Sequence, residues 1–143
     1  MSEIKLAVTD QAIESCYAVM AELRPHVPRN QFLTRVRNQM ETANYQLAYL
    51  TDGEVKAVAG FRISECLAWG QFLYVDDLVA KSGERSRGNG GLLLDWLIEY
   101  AKTQGCRQLH LDSRVQRFDA HRFYLTKRMK IEAHHFSLLL NGD

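Results

Sequence analysis

QFLYVDDLVA (71–80) reads as a strand, GERSRGNGG (83–91) as a glycine-rich turn, and the Leu-rich run from Leu92 to Ile98 as the opening of a helix. This order constrains the chain more than any other feature in it. The first turn of a helix leaves backbone N–H groups without partners, and the helix dipole adds partial positive charge there. Glycine costs about 0.8–1 kcal/mol relative to alanine inside a helix. Gly88, Gly90 and Gly91 at this start therefore mark a backbone that something must approach closely. Arg85 and Arg87 add full positive charges. The combination is an anion cradle suited to a phosphate or pyrophosphate. A Walker loop would need Gly-Lys-Ser/Thr, which the segment lacks. A GxGxxG dinucleotide fingerprint fails because Gly88-x-Gly90 is followed by Leu93.

The flanking segments predict the rest of the fold. IKLAVTD (4–10) is a first strand, with Thr9 and Asp10 able to cap the helix that follows. In that helix Ile13, Cys16, Tyr17, Met20 and Leu23 recur at helical spacing. A second helix starts at Pro28. Residues 45–67 form a hairpin about Asp52-Gly53, with Gly60 marking a bulge in its second strand. Ala68-Trp69-Gly70 makes the next bend, and the helix after the glycine turn ends near Gly105. RQLHLDS (107–113) is a strand, FDAHRFYLTKRM (118–129) a short helix and IEAHHFSLLL (131–140) a last strand. The expected order is β-α-α-β-β-β-α-β-α-β: one α/β (α+β) domain over 1–143, with a mixed, mostly antiparallel sheet flanked by helices.

Composition sets outer limits. At 143 residues and 46% hydrophobic content the chain can bury a core without a disulfide or metal staple. A net charge of +1 gives no global field for nucleic acid or a membrane surface. The interrupted basic residues of RNQFLTRVRNQ and RVQRFDAHR read as solvated helix faces rather than an adaptor surface. Cys16, Cys66 and Cys106 lack CxxC spacing and read as small buried apolar residues in a reduced, cytoplasmic protein. No signal-peptide pattern opens the chain, and no apolar run approaches the ~18 residues of a membrane span. His110, His121, His134 and His135 lack metal-ligand spacing, so no metal site is expected.

Arg85-x-x-Gly88-x-Gly90 resembles the Q/R-x-x-G-x-G/A signature of the GNAT superfamily of N-acetyltransferases. Downstream, Ala120, Phe123 and Tyr124 match that family's A-x-x-F-Y-x-x-x-G-F segment, with Arg128-Met129 in place of Gly-Phe. Both motifs fall in the right order, and the predicted elements follow the family's order over nearly the whole chain. The resemblance implies the GNAT acyl-CoA N-acyltransferase fold, acetyl-CoA as cosubstrate and an amine as acceptor. It also implies a homodimer, as in many small members.

By that resemblance, the backbone of Leu78, Val79 and Ala80 receives the pantetheine arm as an added strand. Arg85, Ser86, Arg87, Gly88, Asn89, Gly90 and Gly91 cradle the pyrophosphate, and Ser113 lies near the sulfur. Tyr124 matches the tyrosine that protonates the departing thiolate. The residue that relieves the amine of its proton is open among Asp77, Asp76 and Glu65. Aspartates are depleted in strands, so the adjacent pair calls for an explanation. In a regular strand they face opposite sides, with Asp77 sharing a face with Val75 and Val79. Acidic residues beside the cleft suggest a cationic amine. The acceptor is a small-molecule or peptide amine. The alternative is a non-catalytic acyl-CoA sensor on the same fold, which would not need Tyr124 or the carboxylates.

Overall fold

The computed structural model describes residues 2–83 and 88–141. They fall into two compact units, Met1–Leu111 and Asp112–Asp143. The first holds a five-stranded sheet in the order β1-β2-β3-β4-β5. Its strands are β1 (Glu3–Leu6), β2 (Tyr45–Asp52), β3 (Glu54–Cys66), β4 (Gly70–Ala80) and β5 (Gln108–Leu111). The first four pair antiparallel and β5 joins β4 in parallel, so the mixed sheet expected from the sequence is present.

Local signals account for most boundaries. Thr9 Oγ1 accepts from the Ala12 N–H at 3.1 Å and caps α1 (Asp10–Ser15). The single helix expected here breaks at Cys16, and α2 (Tyr17–Leu23) continues after it. Pro28 caps α3 (Arg29–Ala43), and Asn44 closes that helix at a φ of 59°. The Asp52-Gly53 turn forms with Gly53 at +80°, a conformation glycine adopts without strain. The long helix α4 (Asn89–Thr103) ends at Gly105, whose N–H donates to the Lys102 carbonyl while Cys106 N–H reaches Ala101. That pair of bonds is the Schellman motif, and it needs the φ of +80° that Gly105 has.

The sheet is buried on both faces. Ile13, Val19, Met20, Phe32 and Val36 from the first three helices, with Cys16 at the break between the first two, cover one face, against Tyr45, Leu47, Val58 and Val79. On the other, α4 contributes Leu93, Leu94 and Leu97, all fully buried. Burial of such side chains stabilises by about 1.5–3 kcal/mol each. The T-shaped contact of Phe61 with Tyr100, 5.7 Å between centroids, locks α4 to β3. Cys16 is fully buried as expected, but Cys66 and Cys106 are only half-buried.

One irregularity organises the site. Gly60 faces Asp77 and Phe61 faces Val75, so β4 carries one residue more than β3 across this step. The extra residue is Asp76. The bulge foreseen at Gly60 is therefore real, but its additional residue lies on the partner strand. The expectation that Asp76 and Asp77 face opposite sides fails for this reason, because a bulge resets the alternation of side chains. Val75 turns to the α4 face, while Asp77 and Val79 share the face covered by α1–α3.

The second unit holds α5 (Phe118–Thr126). Arg128, in the position of the family's glycine, takes a φ of +67°. Its N–H donates to the Leu125 carbonyl, and Met129 N–H donates to that of Tyr124. The same helix-ending motif thus forms without glycine, against the crowding that an L side chain meets in the left-handed region. The sixth strand expected over 131–140 is not formed: among the described residues no ladder joins this segment. Its apolar residues, Phe136 and Leu140 among them, are exposed. Strand-like composition does not suffice where no neighbouring strand pairs with the backbone.

Candidate active site

The bulge places two carboxylates in a cleft of about 710 Å³ bounded by α2, α3, β2, β3 and β4. Arg62 grips Asp76 with two parallel bonds, Nε to Oδ2 at 2.7 Å and Nη2 to Oδ1 at 3.0 Å. Arg24 Nε donates to Asp77 Oδ1 at 2.8 Å, and its Nη2 donates to the Asp76 carbonyl at 2.9 Å. Arg24 therefore serves the bulged residue's carbonyl as well as the neighbouring carboxylate. The Tyr45 hydroxyl donates to Asp77 Oδ2 at 2.8 Å. Burial pushes the Tyr45 phenol far above its ordinary value, and the Asp77 charge adds to this. Its proton stays in place as a fixed donor. The bonds that Arg62 donates to Asp76 raise its guanidinium further, against a smaller opposing effect of burial.

Gly60 makes this arrangement possible. A Cβ there would lie 1.7 Å from the Tyr45 hydroxyl oxygen and 2.6 Å from Asp77 Oδ2. The tyrosine crosses β3 in the space where any other residue would carry a side chain. Glu65, also weighed as a base, stands apart from this cluster. It is exposed and pairs with Gln71, five residues along β3 from Gly60. At the strand rise that is about 17 Å from the bulge. Asp77 and Glu65 do not form one site.

The bulge also marks where the sheet opens. The β4–β5 ladder covers Phe72–Val75 and stops at Val75↔Leu111, while β4 runs on to Ala80. Leu78, Val79 and Ala80 thus lie beyond the reach of β5, with β3 on their other side. Past this stretch, Gly88 takes a φ of +78° and leads into α4 with no side-chain cap. Asn89, Gly90 and Gly91 form the first turn, whose N–H groups a helix leaves unpaired. A Cβ on Gly90 would meet the Ala80 side chain at 3.8 Å, so the helix start lies directly against the end of β4. Arg85, Ser86 and Arg87 lie outside the described residues.

In the second unit, Ser113 Oγ is buried with no hydrogen-bond partner among the described residues. An unmet hydroxyl of this kind costs about 1–3 kcal/mol and suits a group that receives a ligand. Tyr124 is half-buried. Burial raises its phenol above the ordinary value, and the charge of Arg117 pulls weakly the other way. Three of the four histidines named in the sequence have local tasks. His121 Nε2 bonds to the Arg114 carbonyl at 2.8 Å, His135 Nδ1 pairs with Asp112 at 2.7 Å, and the His110 ring stacks on Trp69. Among the described residues, no group of three or more His, Cys, Asp or Glu side chains could hold a metal ion, and no helix is long and apolar enough to cross a membrane.

Sequence reasoning missed most of the cleft. Arg24, His26, Tyr45 and Arg62 line it and were not singled out, while Arg35, which also lines it, was read only as part of a solvated helix face. They come from separate elements, so no spacing links them. The signal present was the bulge glycine itself, whose opposite neighbour turned out to be the carboxylate.

The acetyltransferase (GNAT) family model matches residues 11–129, and the chain belongs to that family. An uncharacterized N-acetyltransferase of Bacillus subtilis (strain 168), YhdJ, is 30% identical over 128 residues, covering 89% of this chain and 90% of that protein. An aminoalkylphosphonate N-acetyltransferase of Salmonella typhimurium is 28% identical over 134 residues, covering 90% of this chain and 84% of its own length. Among solved structures, the aminoglycoside N-acetyltransferase AAC(6')-Iy in complex with CoA shares the fold. Its TM-score is 0.83 at 14% identity, with 98% of this chain and 95% of that one covered.

Proposed function

We propose that the protein is an acetyl-CoA-dependent N-acetyltransferase acting on a primary amine of a small molecule or peptide by direct attack on the thioester. One observation carries this reading. β4 outruns β5 at the bulge, leads toward the uncapped start of α4 and turns Asp76 and Asp77 into an adjacent cleft. Bound acetyl-CoA would supply an activated acyl group and a departing thiolate. The residues present fit it. The backbone of Leu78, Val79 and Ala80 would hold its arm, and the N–H groups of Gly88, Asn89, Gly90 and Gly91 its pyrophosphate. Arg85, Ser86 and Arg87 would complete the cradle, and the unmet Ser113 hydroxyl would bond to it.

Asp77 is favoured over Glu65 for handling the amine, because it lies in the cleft. Each of its oxygens already accepts one hydrogen bond and keeps a lone pair for an ammonium N–H. Burial raises the Tyr124 phenol above its ordinary value, so it keeps its proton at neutral pH and can give that proton to the leaving sulfur. The relatives' names agree with small amine acceptors: one is named for aminoalkylphosphonates and one structure for aminoglycosides. A homodimer and a cytoplasmic location belong to the same proposal. The exposed apolar residues of 131–140 are a surface that a second copy would cover, and the three cysteines are free thiols.

The test is a turnover screen with acetyl-CoA over amines, amino acids, polyamines and peptides, reading the released thiol, together with melting curves. Acetyl-CoA at a hundredfold excess over Kd should stabilise the fold by about 2.7 kcal/mol. Stabilisation without turnover on any amine would favour the sensor. A melting temperature indifferent to millimolar acetyl-CoA would overturn both.

A further inference from the structure

The same cleft carries information about its acceptor. Resting on the acetyltransferase reading, we infer that the acceptor amine bears a compact oxyanion, a carboxylate or a phosphoryl group, and that Arg35 holds it.

The argument is one of charge and pairing. Arg24, Arg35 and Arg62 line the cleft against Asp76 and Asp77, with His26 beside them. Both carboxylates are already engaged, Asp76 by Arg62 and Asp77 by Arg24 and Tyr45. The two aspartates thus leave no uncompensated negative charge to draw in a polycation. What remains is positive: the Arg35 guanidinium has no hydrogen-bond or ion-pair partner among the described residues. It is also well anchored. Its neighbours Phe32 and Val36 on α3 are buried in the core, so its Cα is fixed relative to the sheet. Asn38 and Gln39 follow at the i+3 and i+4 positions and line the same cleft. One helical face therefore presents a guanidinium and two amides. Guanidinium beside neutral donors is the donor set that suits carboxylate and phosphate oxygens.

Across the cleft, the remaining lone pairs of Asp77 suit an ammonium. The expectation of a cationic amine, drawn from the acidic residues alone, becomes that of a zwitterion, with its ammonium toward β4 and its oxyanion toward α3. A volume of about 710 Å³ accommodates a small molecule of this kind.

The experiment compares amines of similar length: β-alanine and 2-aminoethyl phosphate, each with an oxyanion beside its ammonium, monocationic ethanolamine, which has none, and dicationic putrescine. At least one of the two anionic amines should show kcat/KM about tenfold or more above ethanolamine and putrescine, an advantage that shrinks with added salt. The better of the two identifies the oxyanion. Arg35→Gln should cost that amine about tenfold, carried by KM, with a smaller loss for ethanolamine and partial recovery in Arg35→Lys. An unchanged melting temperature would separate this from misfolding. Putrescine or ethanolamine preferred over both anionic amines would overturn the inference and leave the acetyltransferase reading standing. So would an Arg35→Gln enzyme with full selectivity. If no amine turns over, calorimetry on the CoA-loaded protein decides. Binding of β-alanine or 2-aminoethyl phosphate that is lost in Arg35→Gln would sustain the anion site while the enzyme reading fails. Absence of binding would overturn the anion site too.

Discussion

Replacing Tyr124 by phenylalanine should lower turnover about 10²–10³-fold while leaving CoA affinity nearly unchanged, the range expected for loss of a positioned general acid. The substitution removes one hydroxyl and keeps the ring, so the contact with Phe123, 5.3 Å between centroids, survives. The hydroxyl makes no hydrogen bond within the described residues, so its loss strands no partner. The backbone at this position is tied down independently, since the Tyr124 carbonyl accepts from Lys127 and Met129 at the helix end. The phenol is raised by burial, so the wild type keeps its proton throughout the neutral range. The loss should shrink with an acyl thioester whose thiolate leaves more readily, because that thiolate needs less help. Steady-state kinetics on both proteins with two thioesters make the comparison. Full turnover by Tyr124→Phe would leave the residue only its packing beside Phe123 and leave the sulfur to water.

The second large effect should come from one methyl group. Gly60→Ala places a Cβ on top of the Tyr45 hydroxyl and against Asp77 Oδ2. Tyr45 is only 4% exposed and has little room to move aside. Overpacking costs about 1–3 kcal/mol, and a broken bond to the half-buried Asp77 carboxylate adds about 1–3 kcal/mol. We expect a loss near 3 kcal/mol in chemical denaturation, with catalysis impaired in whatever remains folded. In a Tyr45→Phe background the cost of the same alanine should fall, since the nearest atom is gone. It should not vanish, because the ring carbon still lies 2.4 Å from the new Cβ. Additivity of the two substitutions would show that the hydroxyl is not what glycine makes room for.

These two residues illustrate what the sequence makes legible. Tyr124 was found by motif, and the helix that carries it formed where expected. The Asp52-Gly53 hairpin, the Pro28 helix start and the Gly105 stop were readable because each is a local constraint on φ or on a missing donor. The break at Cys16 was not, since Ile13, Cys16, Tyr17 and Met20 fit one helical stripe. The last strand was lost for the opposite reason. Its apolar composition suggested it, but pairing is a property of the neighbour rather than of the segment. The facing of Asp76 and Asp77 went wrong because alternation assumes a one-for-one register, and nothing local to QFLYVDDLVA reveals the extra residue. Arg24 and Asp77 are 53 positions apart in the chain and meet only once α2 has packed over the sheet.

The broken first helix has a practical corollary at the bench. Cys16 sits at the break, fully buried, and burial pushes its thiol up to about 12. A dye that counts liberated CoA by its sulfur will also meet the protein's own thiols. The half-buried Cys66 and Cys106 set an early background. The third equivalent should appear only when the helical pair lifts from the sheet. Its rate of appearance is therefore a clock for that opening, read in the same cuvette as the enzyme assay. Any ligand that slows it has tightened the wall from which Arg24 reaches the bulge.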